Sequence, residues 1–508
     1  MPLIGAVVKR AMQLKKTVSK HRQPGIHYQK KALKRLLKKA SNTEFGLHYD
    51  FKSILKSKDI ISAFQQNIPI HNYDKLHDEW WYRSLKKEHN ICWPGEVKLF
   101  ALSSGTTGSA SKHIPITSDM LRSIRRAGVR MFYNTTQFNL DTAFYEKDIM
   151  MFGGSTNLQE KEGVKAGDLS GINTSRLPMW VRRFYRPGTE ISGLNDWNDR
   201  IEQIAKEAPN WDVGIVAGIP SWIQLMMERV IEYNNVDNIH DVWPNFQFYV
   251  SGGVAFKPYQ KGFEKLLGRS IEYMDSYLAS EGFIAIQSRI GTNGMEMILD
   301  NGIFYEFIPF NDTNFNAAGE VIGQPQTLTV EDLEEGVDYA LILTSCSGAW
   351  RYLLGDMIQV VNKELCEIVI TGRTKHFLSI CGEHLSIGNM NDGIRLVEEE
   401  LNVNIREYTV SGIELSEGKF AHKWYIGCES YLPAAQIQAV LDAKLRELND
   451  DYSTERDAFL GMEVEIVTSN LFYDWFESKG KLGGQNKVPR VMKKELFEEW
   501  ENFVQTKV

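Results

Sequence analysis

The sequence predicts an α/β protein: a large N-terminal body of mixed strands and helices, followed by a small α+β unit. Three observations carry this. The 508 residues exceed a single core on the usual scale of ~100 to 200 residues per domain. Runs rich in β-branched and aromatic residues alternate with helix-like runs through most of the chain. After about residue 372 the order becomes helix, strand, strand, helix, strand. With 43% hydrophobic and 24% charged residues the composition is that of an ordinary globular protein.

In chain order, "KKALKRLLKKA" (Lys30 to Ala40) is a basic segment whose Leu33, Leu36 and Leu37 recur at helical spacing. It reads as a helix that docks one face and leaves its lysines in water. Strands are expected at "VKLFAL" (Val97 to Leu102), "VGIVAG" (Val213 to Gly218), "FQFYVSGG" (Phe246 to Gly253), "GIFYEFIPF" (Gly302 to Phe310) and "YALILTS" (Tyr339 to Ser345). "SWIQLMMERVIEY" (Ser221 to Tyr233) reads as a helix opened by a capping serine after Pro220. The C-terminal unit is built from "NDGIRLVEEELN", "IREYTVSGIEL", "FAHKWYIGCES", "PAAQIQAVLDAKLRELN" and "MEVEIVTS".

Several functional classes are disfavoured. No uncharged apolar stretch reaches the roughly 18 to 20 residues of a membrane span, and the N-terminus lacks a signal-peptide pattern, so a cytosolic protein is expected. Cys92, Cys346, Cys366, Cys381 and Cys428 are odd in number and lack CxxC spacing, which reads as buried thiols rather than disulfides or a zinc site. Residues 1 to 40 hold twelve Lys or Arg and no acid, so the other 468 carry −19 of the total −7. That acidic body argues against a nucleic-acid partner. The basic segment allows a weak contact with an anionic surface but no stable membrane association.

"LFALSSGTTGSASKHIPIT" (Leu99 to Thr117) places a Ser/Thr/Gly loop between two β-prone runs and ends in a helix-capping Thr117 or Ser118. Backbone N–H groups and hydroxyls of such a loop can converge on an anion, and Lys112 adds a positive charge. The G-x-x-x-x-G-K-[ST] pattern is absent, so this is a hairpin loop rather than a strand-to-helix phosphate loop.

"SSGTTG…K" resembles the phosphate loop of the adenylate-forming superfamily, which includes acyl-CoA synthetases, luciferases and the adenylation domains of peptide synthetases. Four more stretches resemble its later motifs in order: "YLASEG" (Tyr277 to Gly282), "WRYLLGDMIQV" (Trp350 to Val360), "TGRTKHF" (Thr371 to Phe377) and "GKLGGQNKVPR" (Gly480 to Arg490). Together with "TEFG", "IPIHNYDKL", "GGVAFKPY" and "FYEFIPF", they resemble the bacterial branch of the auxin-responsive, Gretchen Hagen-type acyl acid amido synthetases from about residue 40 onward.

That resemblance implies an adenylate-forming N-terminal domain (1–371), a hinge (372–378) and a small mobile C-terminal lid (379–508). It implies ATP and Mg²⁺ as cofactors, and a carboxylic acid and an amino acid as substrates. The acid would first become an acyl adenylate with release of pyrophosphate, and the amine would then displace AMP. Ser103, Ser104, Gly105, Thr106 and Thr107 would hold the β- and γ-phosphates, with Lys112 assisting. Gly252 and Gly253 would lie beside adenine, and Tyr277 against its ring, next to Ala279 and Ser280. Glu281 would hold Mg²⁺, Asp356 the ribose hydroxyls, and Arg373 both hinge and ribose. Lys487 would place its charge at the reacting carboxylate and α-phosphate. His113 is read as packing, and "GDLSGI" (Gly167 to Ile172) as acyl-pocket lining. A monomer is expected. The alternatives are an acyl-CoA ligase with a thiol acceptor and a nucleotide-binding scaffold without turnover.

Overall fold

The computed structural model describes residues 9–10, 12, 24–103, 112–138, 140–161, 163–177, 179–253, 256–316, 319–374, 377–378, 385–416, 419–429, 432–449, 452, 456, 461–480 and 488–507. The mixed α/β class is the one expected, and no helix among the described residues is long and apolar enough to cross a membrane.

The first hairpin is β1 (Leu99–Ser103) and β2 (Lys112–Ile116), followed by β3 (Asp148–Phe152), β4 (Gln159–Lys161), β5 (Val164–Gly167), β6 (Tyr185–Arg186), β7 (Val213–Gly218) and β8 (Phe248–Gly252). Then come β9 (Glu272–Ala279), β10 (Gly282–Ile286), β11 (Met295–Met297), β12 (Ile303–Pro309), β13 (Asp338–Ser345), β14 (Tyr352–Asn362) and β15 (Glu367–Arg373). The remainder are the short pair β16 (Phe377–Leu378) and β17 (Leu385–Ser386), then β18 (Ile405–Ser416), β19 (Lys419–Cys428) and β20 (Gly461–Val467).

One sheet of eleven strands runs β12-β13-β14-β15-β11-β10-β9-β8-β7-β3-β6, and a separate sheet runs β2-β1-β5-β4. From β6 to β9 the large sheet is parallel, and from β9 to β12 it is antiparallel. Along β8, Phe248 and Val250 enter one apolar core while Tyr249 enters the core on the opposite face. Because both faces are buried, these strands read as continuous apolar runs rather than alternating ones.

The C-terminal sheet, β18-β19-β20, is likewise covered twice. Trp424 and Ile426 face helices 387–401 and 434–448, whereas Tyr425 faces helices 469–478 and 494–507. The last two helices extend the expected pattern. Among the expected elements, the basic helix spans Gly25–Ala40, with Leu33, Leu36 and Leu37 buried. Two expectations are corrected. Ser221 is not a cap: Pro220 is the first helical residue and Ile219 the cap position, since proline's fixed φ suits a first turn that needs no N–H. Cys366 is partly exposed rather than buried like Cys92, Cys346 and Cys428, and Cys381 lies outside the described residues.

A buried ion pair ties the N-terminal segment to the sheet. Arg351, 3% exposed, lies with Nη2 2.9 Å from Glu306 of β12 and also donates to the Gln65 and Ile68 carbonyls and to Thr327 Oγ1. Replacing Glu306→Gln leaves this guanidinium without its counter-charge. Breaking one side of such a pair costs about 3–5 kcal/mol. We expect a large fall in melting temperature by calorimetry, with no comparable fall for a substitution at exposed Glu232.

Candidate active site

The parallel half of the sheet meets the antiparallel half at β9, and the expected site residues lie at the carboxyl end of that strand. Crevices of this kind hold ligands in open α/β sheets because strand ends leave backbone groups and loop side chains facing one opening. Gly252 ends β8 opposite Ser276 of β9, and a Cβ there would stand 3.2 Å from the Ser276 hydroxyl. Gly253 follows with φ +86°, a conformation that glycine adopts without strain. Between Ala279 and its partner Gly282, Ser280 and Glu281 form the tight β9–β10 turn, and both are buried.

Asp356 and Arg373 arrive from β14 and β15, which are distant from β9 in the strand order. Short β11 joins β10 at Ala285 and Ile286 and joins β15 at Glu367 and Ile368. The other ends of β10 and β15 are therefore free to splay around a gap. Across it the Tyr277 hydroxyl donates to Asp356 Oδ2 at 2.5 Å, and Arg373 Nε lies 2.9 Å from Asp356 Oδ1. Asp356 and Arg373 are also direct cross-strand partners. Tyr277 itself is 5% exposed, with its ring in the main core.

Electrostatics binds the cluster together. Burial raises the Glu281 carboxyl above its ordinary value, and the Asp356 charge adds to that; Lys112 and Arg373 pull the other way. The Tyr352 phenol, buried against Glu281, is raised well above 10 by burial and by that carboxylate. Lys112 starts β2 directly opposite Ser103, and its ammonium sits 5.3 Å from the centre of the Tyr73 ring. Thus two of the three expected cations, Lys112 and Arg373, meet both expected carboxylates from β2, the β9–β10 turn, β14 and β15. Two like-charged carboxylates, two cations and three phenols form one polar cluster at the carboxyl end of β9.

Ser104, Gly105, Thr106, Thr107 and Lys487 lie outside the described residues, and Ser103 is described as the last residue of β1. His113 is half-buried, its ring 6.4 Å from Phe100 and its backbone N–H donated to the Tyr73 hydroxyl, an environment of packing. Gly167–Ile172 runs from β5 into the helix Leu169–Ser175, which Asp168 caps by accepting from the Ser170 N–H. Gly167 pairs with Ala101, so this segment flanks the same hairpin. Sequence reasoning missed Tyr73, Tyr352 and Asp275. The first two sat inside quoted stretches, but no local pattern says which phenol meets which charge. Asp275 precedes Tyr277 by two positions beside Ser251, and burial pushes its carboxyl up to about 6.

Comparison with known proteins adds three findings. Models of the GH3 family N-terminal, central and C-terminal domains match residues 14–202, 296–373 and 389–496, well over half of the chain. An indole-3-acetic acid-amido synthetase of Arabidopsis thaliana, GH3.4, is 23% identical over 91% of this chain and 88% of its own. A jasmonoyl-L-amino acid synthetase of Nicotiana attenuata is 25% identical over 50% of this chain and 45% of its own. Among solved structures, the acyl acid amido synthetase AtGH3.15 in complex with 2,4-DB superposes with a TM-score of 0.78 at 15% identity, covering 98% and 96% of the two chains. A 2-hydroxyisobutyryl-CoA ligase reaches 0.59 at 13% identity over 94% and 91%. At these identities the likeness is one of fold.

The Glu281 shift has a consequence for stability. An acid whose folded pKa is raised binds its proton more tightly when folded, so folding loses stability as pH rises from the unfolded value, near 4.5, through the folded one. Glu281→Gln removes that penalty. The variant is expected to melt at a higher temperature than wild type at pH 7–8, with the difference closing as pH falls toward 4.5. A pH-independent difference in differential scanning calorimetry would contradict this.

Proposed function

The chain belongs to the GH3 family, and from that premise we propose that it adenylates a carboxylic acid with ATP and transfers the acyl group to an amino acid amine. The observation that carries this reading is the meeting of Lys112, Glu281, Tyr277, Asp356 and Arg373 at the carboxyl end of β9, next to the hairpin with the Ser/Thr/Gly loop. Fold likeness to amido synthetases over nearly the whole chain supports it. We read the quoted stretches as those of the family's bacterial branch, the protein as a cytosolic monomer, and its units as 1–371 and 379–508 around a hinge at 372–378.

In the first step a carboxylate oxygen of the acid attacks the α-phosphorus of ATP; the bond from Pα to the bridging oxygen breaks, and pyrophosphate leaves. In the second, the neutral amine attacks the acyl carbon, the bond to AMP breaks, and the nitrogen loses a proton. The first step brings two anions together, so catalysis rests on charge neutralisation and alignment. Asp356 would accept from both ribose hydroxyls, with Arg373 fixing its orientation. Gly252 and Gly253 would let adenine approach the backbone, and Tyr277, Ala279 and Ser280 would adjoin it. Ser103 to Thr107 and Lys112 would hold the terminal phosphates, Lys487 would serve the reacting oxygens, and Gly167–Ile172 would line the acyl pocket.

Glu281 fits a Mg²⁺ role, because this ion usually takes one or two protein carboxylates and completes its shell with phosphate oxygens and water. A single buried carboxylate beside Lys112 and Asp356 is such a donor set. The ion would supply neutralisation of the phosphate charge. Burial keeps the Glu281 carboxylate poorly hydrated and so favours its exchange of a proton for a cation.

The test is ATP–pyrophosphate exchange across aryl, indole and fatty carboxylic acids. We expect acid-dependent exchange that falls by about 100-fold or more in Glu281→Ala and Lys487→Ala, the scale of removing a main electrostatic contact. Exchange that survives both substitutions would overturn the assignment, and product formed with CoA but with no amino acid would shift it to the thiol ligase.

A further inference from the structure

Arg490 lies outside the cluster described above, yet its guanidinium is fully engaged where the C-terminal unit faces the body. The 488–492 segment runs beside β18: Val491 bridges Val410, the Val410 N–H donates to the Arg490 carbonyl, and the Met492 N–H donates to the Val410 carbonyl. From that edge the Arg490 side chain turns inward. Its Nη1 lies 2.6 Å from Glu407 Oε2 and donates to the Tyr408 carbonyl at 3.1 Å, and its guanidinium carbon sits 4.5 Å from the Tyr408 ring centre. Nη2 crosses to the body and donates to the Tyr259 hydroxyl at 2.7 Å. Glu407 is 3% exposed, and the Tyr473 hydroxyl faces its other oxygen.

Further contacts line the same boundary. Arg406 pairs with Glu228 at 2.9 Å, Asn198 donates to Glu477 at 2.8 Å, and Tyr473 approaches Trp222. These ion-pair and amide contacts are partly exposed and screened by water, so each contributes little. The Arg490–Tyr259 bond is buried and charge-assisted, so it contributes more to the registration of the two units than either of those contacts.

We propose that Arg490, held by Glu407 and docked on the Tyr259 hydroxyl, is a positioning residue that fixes the 488–492 segment against the N-terminal body for the adenylation half-reaction. This rests on the reading of the site given above, in which Lys487, three positions earlier in the sequence, serves the reacting carboxylate and α-phosphate of the adenylation step. Two of the three Arg490 hydrogen bonds stay within the C-terminal unit, and the third crosses to the Tyr259 hydroxyl, which also faces the Glu407 carboxylate. Tyr259→Phe therefore removes the hydroxyl's contacts with Arg490 and Glu407 and leaves the apolar packing of the ring in place.

The experiment compares wild type, Tyr259→Phe and Arg490→Lys in two assays: ATP–pyrophosphate exchange with a supported acid, and amide formation from the preformed acyl adenylate plus amino acid. Loss of one hydrogen bond to a charged group is expected to lower kcat for exchange by about tenfold in Tyr259→Phe. KM for ATP and the rate from preformed adenylate should stay within about twofold of wild type. Arg490→Lys should lower exchange further with the same split. A merely structural role predicts equal losses in both assays, and that result, or unchanged exchange, would overturn the proposal. Amide hydrogen exchange gives a readout independent of activity: Tyr259→Phe should speed exchange at 256–264 and 488–492 and nowhere else, and an unchanged pattern overturns the proposal even if no acid supports wild-type exchange. The latter result alone would instead count against the functional reading.

Discussion

The Asp356 carboxylate is the constraint from which the site is built. One oxygen accepts the Tyr277 phenol at the carboxyl end of β9, and the other faces Arg373 on the neighbouring strand. These partners hold a charge where a water shell would otherwise be needed, and they span the gap left by the short β11. Glu281 stands near enough for the two carboxylates to raise each other's cost, so the cluster is tolerable only with Lys112 and Arg373 in place. Tyr277, Asp356 and Lys112 belong to separate chain segments. The arrangement therefore exists only once the large sheet and the β1–β2 hairpin have docked.

Much of the fold was legible because burial on both faces writes long apolar runs into a sequence. "VGIVAG" and "YALILTS" became β7 and β13 nearly residue for residue. The helix ends were less legible: a serine after a proline resembles a cap, and only the observed dihedrals put Pro220 inside the helix. Long-range charge pairing left no local trace. Glu306 and Arg351 each sit in a stretch that flagged the family, yet their role is to clip residues 65–68 onto the sheet, and nothing in either stretch alone says so.

The candidate site divides the same way. The order of motifs pointed to Glu281, Asp356 and Arg373, and these converge. It could not point to Tyr73 or Tyr352, because a phenol's contribution depends on the charge that the fold sets beside it. Asp275 is a third case: a carboxylate inside a strand ordinarily reads as a solvated face, whereas here burial between β8 and β9 pushes its pKa up to about 6.

Charge balance gives the functional reading its physical logic. Among the described residues of the cluster, Lys112 and Arg373 are matched by Glu281 and Asp356, so the cluster is near neutrality before any ligand arrives. A triphosphate and an ionised acid bring several further negative charges into a crevice where water is scarce and Coulomb terms are large. A neutral cluster cannot hold them. Additional positive charge must enter with or around the substrates, which is the part assigned to backbone N–H groups of the Ser/Thr/Gly loop, a divalent cation at Glu281 and the Lys487 ammonium. Pyrophosphate release then removes most of the added charge and, on the proposed reading, with it the need for Lys487 at the reacting centre. The amine, in contrast, attacks as a neutral species. The two half-reactions thus make different electrostatic demands on one crevice, and in the proposed reading a separate C-terminal unit, held to the body by contacts such as Arg490 to Tyr259, would meet them in turn.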